Sequence, residues 1–146
     1  MRVPDKLAEL IENLSLADDL TDRAEFLISY ADQYREVPPE IAKRPFPEKN
    51  KIPYCESEAY IWSVLRDDGT VKLYFAVENP SGISAKALAA ILEKTLSGLT
   101  AREIAEIPDE IVYKIFRQNI SMGKGMGLMA MVQAVRSLAR NHLSSL

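Results

Sequence analysis

The lone cysteine, Cys55, is the residue in this chain best suited to covalent chemistry. It lies in Asn50-Lys51-Ile52-Pro53-Tyr54-Cys55-Glu56-Ser57-Glu58, where charged residues and a proline crowd both sides. Cysteine is among the most buried residue types, so a core packing role is the plainest reading of an isolated one. These neighbours instead describe an accessible loop beside a sheet edge. Accessibility alone does not activate a thiol, because the thiolate forms next to positive charge or a helix N-terminus. Lys49 and Lys51 favour it, Glu56 and Glu58 oppose it, and no histidine is near in sequence. A thiol that receives a group from a partner, with the partner supplying the activation, fits these surroundings better than a cysteine hydrolase.

Other chemistry-bearing patterns are weaker. Ser121-Met122-Gly123-Lys124 has the Ser-x-x-Lys spacing of serine acyl-enzymes, but neither Ser-Asp-Asn nor Lys-Thr-Gly follows it. Gly123-Lys124-Gly125-Met126-Gly127 could cradle an anion with backbone N–H groups. It is not a phosphate-binding loop of the Gly-x-x-x-x-Gly-Lys-Ser/Thr type, since Met126 stands where a lysine is needed and no strand is predicted before it. The plainer reading is a flexible lead into a helix. The single histidine, His142, reads as a solvated residue favourable at a helix C-terminus. One histidine leaves little room for a Ser-His-Asp triad. One cysteine excludes an internal disulfide, a cysteine-ligated zinc site and an iron–sulfur cluster held by this chain alone.

The elements that must position Cys55 follow from periodicity. Val3, Leu7, Leu10, Ile11 and Leu14 recur at helical spacing and predict a helix from Pro4 to Leu16. Asp22-Arg23-Ala24-Glu25 reads as a capping box for a second helix reaching Tyr34, with Leu27, Tyr30, Ala31 and Tyr34 on its buried face. Pro38-Pro39 stops it, and the proline- and lysine-rich chain from there to Lys51 reads as an irregular surface segment. Ala59–Leu65 and Thr70–Val77 read as strands joined by an Asp68-Gly69 turn of type I′, and Lys51–Tyr54 as a third strand leading into Cys55. The pattern then turns helical. One stripe starts at Ile83 and stops at Ser97-Gly98, and Thr100-Ala101-Arg102-Glu103 is a second capping box. Pro108-Asp109 opens another helix, and a last one is predicted from Gly127 to His142. The expected fold class is α+β, a small antiparallel three-stranded sheet covered by N- and C-terminal helices.

At 146 residues, 47% hydrophobic and 27% charged, the chain is sized for one domain spanning residues 1–146. A net charge of −3 argues against nucleic acid as a partner, because phosphate contacts favour a basic surplus. The longest wholly apolar run, Ala87–Leu92, is far too short to span a bilayer, and Met1-Arg2-Val3-Pro4-Asp5-Lys6 lacks the apolar stretch of a signal peptide. The expectation is a cytoplasmic protein that binds no membrane.

Several segments, in order, resemble the SufE family of sulfur acceptors. Glu48-Lys49-Asn50-Lys51-Ile52-Pro53-Tyr54-Cys55-Glu56-Ser57-Glu58-Ala59-Tyr60 is similar to that family's Glu-x-Asn-x-Val-Pro-Gly-Cys-x-Ser-x-Val-Trp stretch. Asp22-Arg23-Ala24-Glu25-Phe26-Leu27-Ile28 resembles its Asp-Arg-Tyr-x-x-Leu-Ile helix, and Gly98-Leu99-Thr100-Ala101-Arg102-Glu103-Ile104 its Gly-x-Thr-Pro-x-Glu-Ile. Gly127-Leu128-Met129-Ala130-Met131-Val132-Gln133-Ala134-Val135-Arg136 is similar to its Gly-Leu-x-Ala-Met-Ile-x-Ala-Ile-Arg. Tyr54 stands in place of the usual glycine, Tyr60 of a tryptophan, Ser81 of an aspartate and Lys124 of an arginine. Tyrosine takes up positive φ less easily than glycine, which predicts a stiffer loop.

The resemblance implies a SufE/NifU-like fold and a sulfur carrier. Cys55 would take persulfide sulfur from a SufS-like cysteine desulfurase and pass it to an iron–sulfur scaffold. Ser57, Ser81 and Lys124 would support the cysteine or the partner, with no cofactor or metal of the chain's own and a monomer or dimer as the working form. The alternative is a non-transferring module of the same fold that docks on a desulfurase or related partner and regulates it.

Overall fold

The computed structural model describes residues 3–17, 19–55 and 57–144. Helix α1 runs from Asp5 to Ser15 and buries Leu7, Leu10 and Leu14, three residues of the predicted stripe. Helix α2 spans Leu20–Asp32 and starts earlier than expected. Its N-cap is Asp19, whose carboxylate accepts the Asp22 N–H at 2.8 Å, so Asp22 lies in the first turn and is not the cap. Helices α3 (Ile83–Leu96), α4 (Ala101–Ile104) and α5 (Ile111–Phe116) follow the sheet. The Thr100 capping box is present in full, with the Glu103 N–H donating to the Thr100 hydroxyl and the Glu103 carboxylate accepting the Thr100 N–H.

Strands β1 (Ala59–Leu65) and β2 (Val71–Val77) pair antiparallel, Ala59 opposite Val77 and Leu65 opposite Val71. Among the described residues they form a two-stranded sheet; the expected third strand is not there. Lys51 makes an isolated bridge to Tyr60, and the Ile52 N–H donates to the Ala59 carbonyl at 2.8 Å. The pairing ends there for two reasons. Pro53 has no N–H to donate, and Tyr54 swings to a φ of 62°. The hairpin turn also differs from type I′. Within the loop only Gly69 has positive φ, at 85°, and its N–H bonds the Arg66 carbonyl. Asp67 adds a residue, so the connection is a three-residue loop closed by a left-handed glycine. The Thr70 hydroxyl and N–H bind the Asp68 carboxyl and hold it below its ordinary value.

Both faces of the sheet are covered. Val71, Leu73, Phe75 and Val77 of β2, with Ala59 and Ile61 of β1, join the main core. In that core α2 packs on α3, α3 on β2, and α6 (Met122–Ser144) on β1 and α4. On the opposite face Tyr60 and Ala76 meet Val37 and Phe46. The proline-rich segment is therefore irregular, as expected, but it also acts as a cover. Arg44 secures it by bonding both Glu36 and Glu78 while stacking over the Phe46 ring at 5.0 Å. Among the described residues, no helix is long and apolar enough to cross a membrane.

Helix α6 starts at Met122, so the three glycines expected in a flexible lead lie inside it. The start signal is Ser121, whose hydroxyl accepts the Lys124 N–H at 3.2 Å and whose carbonyl accepts the Gly125 N–H at 2.9 Å. The Ser-x-x-Lys spacing is thus a helix cap and not a nucleophile with its base. At the far end, the His142 Nε2 lies 2.7 Å from the Ser63 hydroxyl on β1, which makes His142 a half-buried tie between helix and sheet.

Candidate functional site

Cys55 is half-buried on the loop that leads into β1. The loop bends at both ends, at Tyr54 (φ 62°) and Glu58 (φ 52°). Its backbone is held on both sides. The Glu58 N–H donates to the Cys55 carbonyl at 3.1 Å, and the Asn79 N–H donates to the Ser57 carbonyl at 3.1 Å. That second bond ties the cysteine loop to the turn that follows β2. The turn is shaped in its own right: the Asn79 side chain accepts the Ser81 N–H, and its carbonyl accepts the Gly82 N–H.

Cys55 lines a cleft of about 220 Å³ with three walls. Cys55 and Ser57 form one wall. The turn at Asn79–Gly82 and the first turn of α3, including Ser81 and Ser84, form the second. The first turns of α6, including Gly123, Lys124 and Gly127, form the third. The four residues singled out from sequence, Cys55, Ser57, Ser81 and Lys124, therefore border one space. Gly82, Ser84 and Gly127 border it too, and sequence reasoning did not place them there. Small residues at the start of a helix, as in Ser81-Gly82-Ile83-Ser84, and the glycine-rich run from Gly123 to Gly127 are the local signs they left.

The electrostatics of the cleft follow from its walls. The N-terminal ends of α3, with 14 residues, and α6, with 23, both abut it. Each end carries a partial positive charge from the aligned peptide dipoles of its helix, and Lys124 adds a full one. Positive surroundings of this kind favour a thiolate or persulfide anion over the neutral thiol. Among the described residues, no group of three or more His, Cys, Asp or Glu is arranged to hold a metal ion.

A mixed helix and strand frame with one thiol at a cleft between two helix starts is the class of protein that this geometry defines. A family model for SufE, described as an Fe-S metabolism associated domain, matches residues 8–139, and the chain belongs to that family. The comparison with curated proteins returns no match. Among solved structures the chain is similar to the solution structure of a hypothetical protein from Thermus thermophilus. The TM-score is 0.75 at 22% identity, over 98% of this chain and 99% of that one, a likeness of fold.

Proposed function

We propose that this chain is a sulfur acceptor. It takes sulfane sulfur from the persulfide of a cysteine desulfurase onto Cys55 and passes it to an iron–sulfur scaffold. The observation that carries the reading is the half-buried Cys55 thiol on a cleft bordered by two helix N-termini and Lys124, in a chain of a family associated with Fe-S metabolism.

The chemistry needs little from the acceptor. The Cys55 thiolate attacks the outer sulfur of the desulfurase persulfide. The bond between the two desulfurase sulfurs breaks as the new sulfur–sulfur bond to Cys55 forms, and the desulfurase cysteine leaves as its thiolate. No electrons are gained or lost overall, and no histidine base is required. The role of the acceptor is to hold its own anion and the product persulfide in a favourable field, which Lys124 and the two helix starts supply. Ser57 and Ser81 offer hydroxyls at the same cleft.

Mass spectrometry after incubation with a SufS-like desulfurase, pyridoxal phosphate and free cysteine tests the reading. Wild-type protein is expected to gain the mass of sulfur on Cys55, and Cys55→Ser to gain none while staying within about 1 kcal/mol of wild-type stability. A wild type that gains no sulfur, or a Cys55→Ser variant that still does, overturns it.

A further inference from the structure

Two glycines, one before α3 and one in α6, come close to the cysteine loop, and neither has a positive φ. Gly82 has a φ of −78°, which any residue can adopt. Gly127 lies inside α6 and is not among the positive-φ glycines. Both are buried, and the space a side chain would need is already filled. A Cβ on Gly127 would lie 3.0 Å from the Tyr54 carbonyl oxygen and 3.3 Å from the Cys55 Cα. A Cβ on Gly82 would lie 2.7 Å from the Ser57 Oγ and 2.9 Å from the Ser57 Cβ. The nearest atoms belong to the same short loop in both cases; a Cβ on Gly82 would also lie 3.2 Å from the Asn79 carbonyl oxygen of its own turn. By contrast, a Cβ on Gly125, two residues from Gly127 on the same helix, would meet only the end of the Ile120 side chain at 3.4 Å.

We propose that Gly82 and Gly127 are positioning residues for Cys55: by having no side chain, they let the Tyr54–Glu58 loop seat against α3 and α6, and that seating sets the reactivity of the thiol. A seated loop keeps the sulfur near the positive helix ends and limits approach from solvent. A lifted loop loses the field and opens the path. Among the described residues, the charged and titratable neighbours are Lys124 from α6 and Tyr54 and Glu58 from the loop itself, while the first turn of α3 offers Ile83, Ser84 and Ala85.

The inference takes Cys55 as the reacting thiol, in line with the reading above. Its test uses the protein alone, so a failed cradle and a failed sulfur transfer are read apart. Iodoacetamide alkylation of Cys55 is followed against pH, with thermal unfolding as the check on folding. Gly127→Ala is expected to raise the plateau alkylation rate about threefold and Gly127→Val about tenfold, with the midpoint of the pH profile moving up as the thiolate leaves the helix ends. Gly125→Ala is the control, expected to stay within about twofold of wild type with an unmoved midpoint. Gly82→Ala is expected to behave like Gly127→Ala. Adding Ser57→Gly removes the two nearest atoms, leaving the Asn79 carbonyl oxygen at 3.2 Å, and is expected to return the profile to that of Ser57→Gly alone.

A folded Gly127→Val with the wild-type profile overturns the proposal, as does a Gly125→Ala that shifts the profile as far as Gly127→Ala. Should Gly127→Val not fold, the Gly82→Ala pair decides: no rise, or no reversal by Ser57→Gly, overturns it.

Discussion

Tyr54 holds a φ of 62° immediately before the reactive cysteine, and it is 83% exposed. A side chain in that region crowds its own backbone, at a cost of roughly 1 kcal/mol or more. Such exposure returns little packing to offset the strain. Tyr54→Gly is therefore expected to raise stability by roughly 0.5–1 kcal/mol after allowing for the floppier unfolded chain. A urea titration checks the value, and an unchanged or lower midpoint refutes the account. Tyrosine is reluctant to enter this region, as its sequence position suggests; it enters nonetheless, because loop ties on both sides and the seat on α6 over-determine the bend. Cys55 drew attention through its own neighbours, and Ser57, Ser81 and Lys124 through the family resemblance. The approach of Gly82 and Gly127 to the cysteine loop was not legible, since a contact between segments distant in the chain has no local signature.

At the scale of elements, Arg23 decides how the N-terminal helices join the rest. It is 2% exposed, and its bonds run to backbone carbonyls. Its guanidinium donates to the Leu14 carbonyl at the end of α1 (2.7 Å) and to the Ile115 carbonyl at the end of α5 (2.9 Å). The negative ends of two helices thus stand in for a counter-ion. Burial, and after it the nearby Arg117 charge, pulls the Arg23 pKa below its ordinary value. Arg23→Met keeps the bulk but leaves the carbonyls unpaired, and is expected to cost about 2–4 kcal/mol in chemical denaturation. Arg23→Lys should recover part of that, as a single ammonium cannot reach both helix ends in the manner of a fork. Arg23 stands four residues before Leu27, at the spacing of the buried face, but the sequence placed it only within a capping box, because its charge argued for the surface. Two of the misread features have similarly local causes. The third strand fails on Pro53, and the start of α6 is hidden because its glycines read as a breaker, a signal that masks the Ser121 cap.

For the molecule as a whole, Tyr34 links the helical layer to the sheet, its hydroxyl accepting the Val77 N–H at 2.8 Å. Burial raises the pKa of Tyr34, an effect that outweighs the Val77 bond, and burial raises that of Tyr30 as well. Both phenols therefore hold their protons more tightly folded than unfolded. Their contribution is complete below about pH 10, the ordinary tyrosine value, and is lost as pH rises through the folded values. The urea midpoint is expected to be level with respect to these two groups from about pH 7 to 9 and to fall above about pH 10, with Tyr34→Phe showing a shallower fall. A decline no shallower in that variant would remove Tyr34 from the account.

Arg23 also has a consequence for the order of events during synthesis. Its carbonyl partner at Ile115 is 92 residues further along the chain. At ordinary elongation rates that segment takes roughly 5–20 s to emerge. Through that interval the newborn α2 carries a charge destined for the interior, with two of its three carbonyl acceptors, those of Lys114 and Ile115, not yet made. The seat of this guanidinium is therefore complete only once the end of α5 has been made.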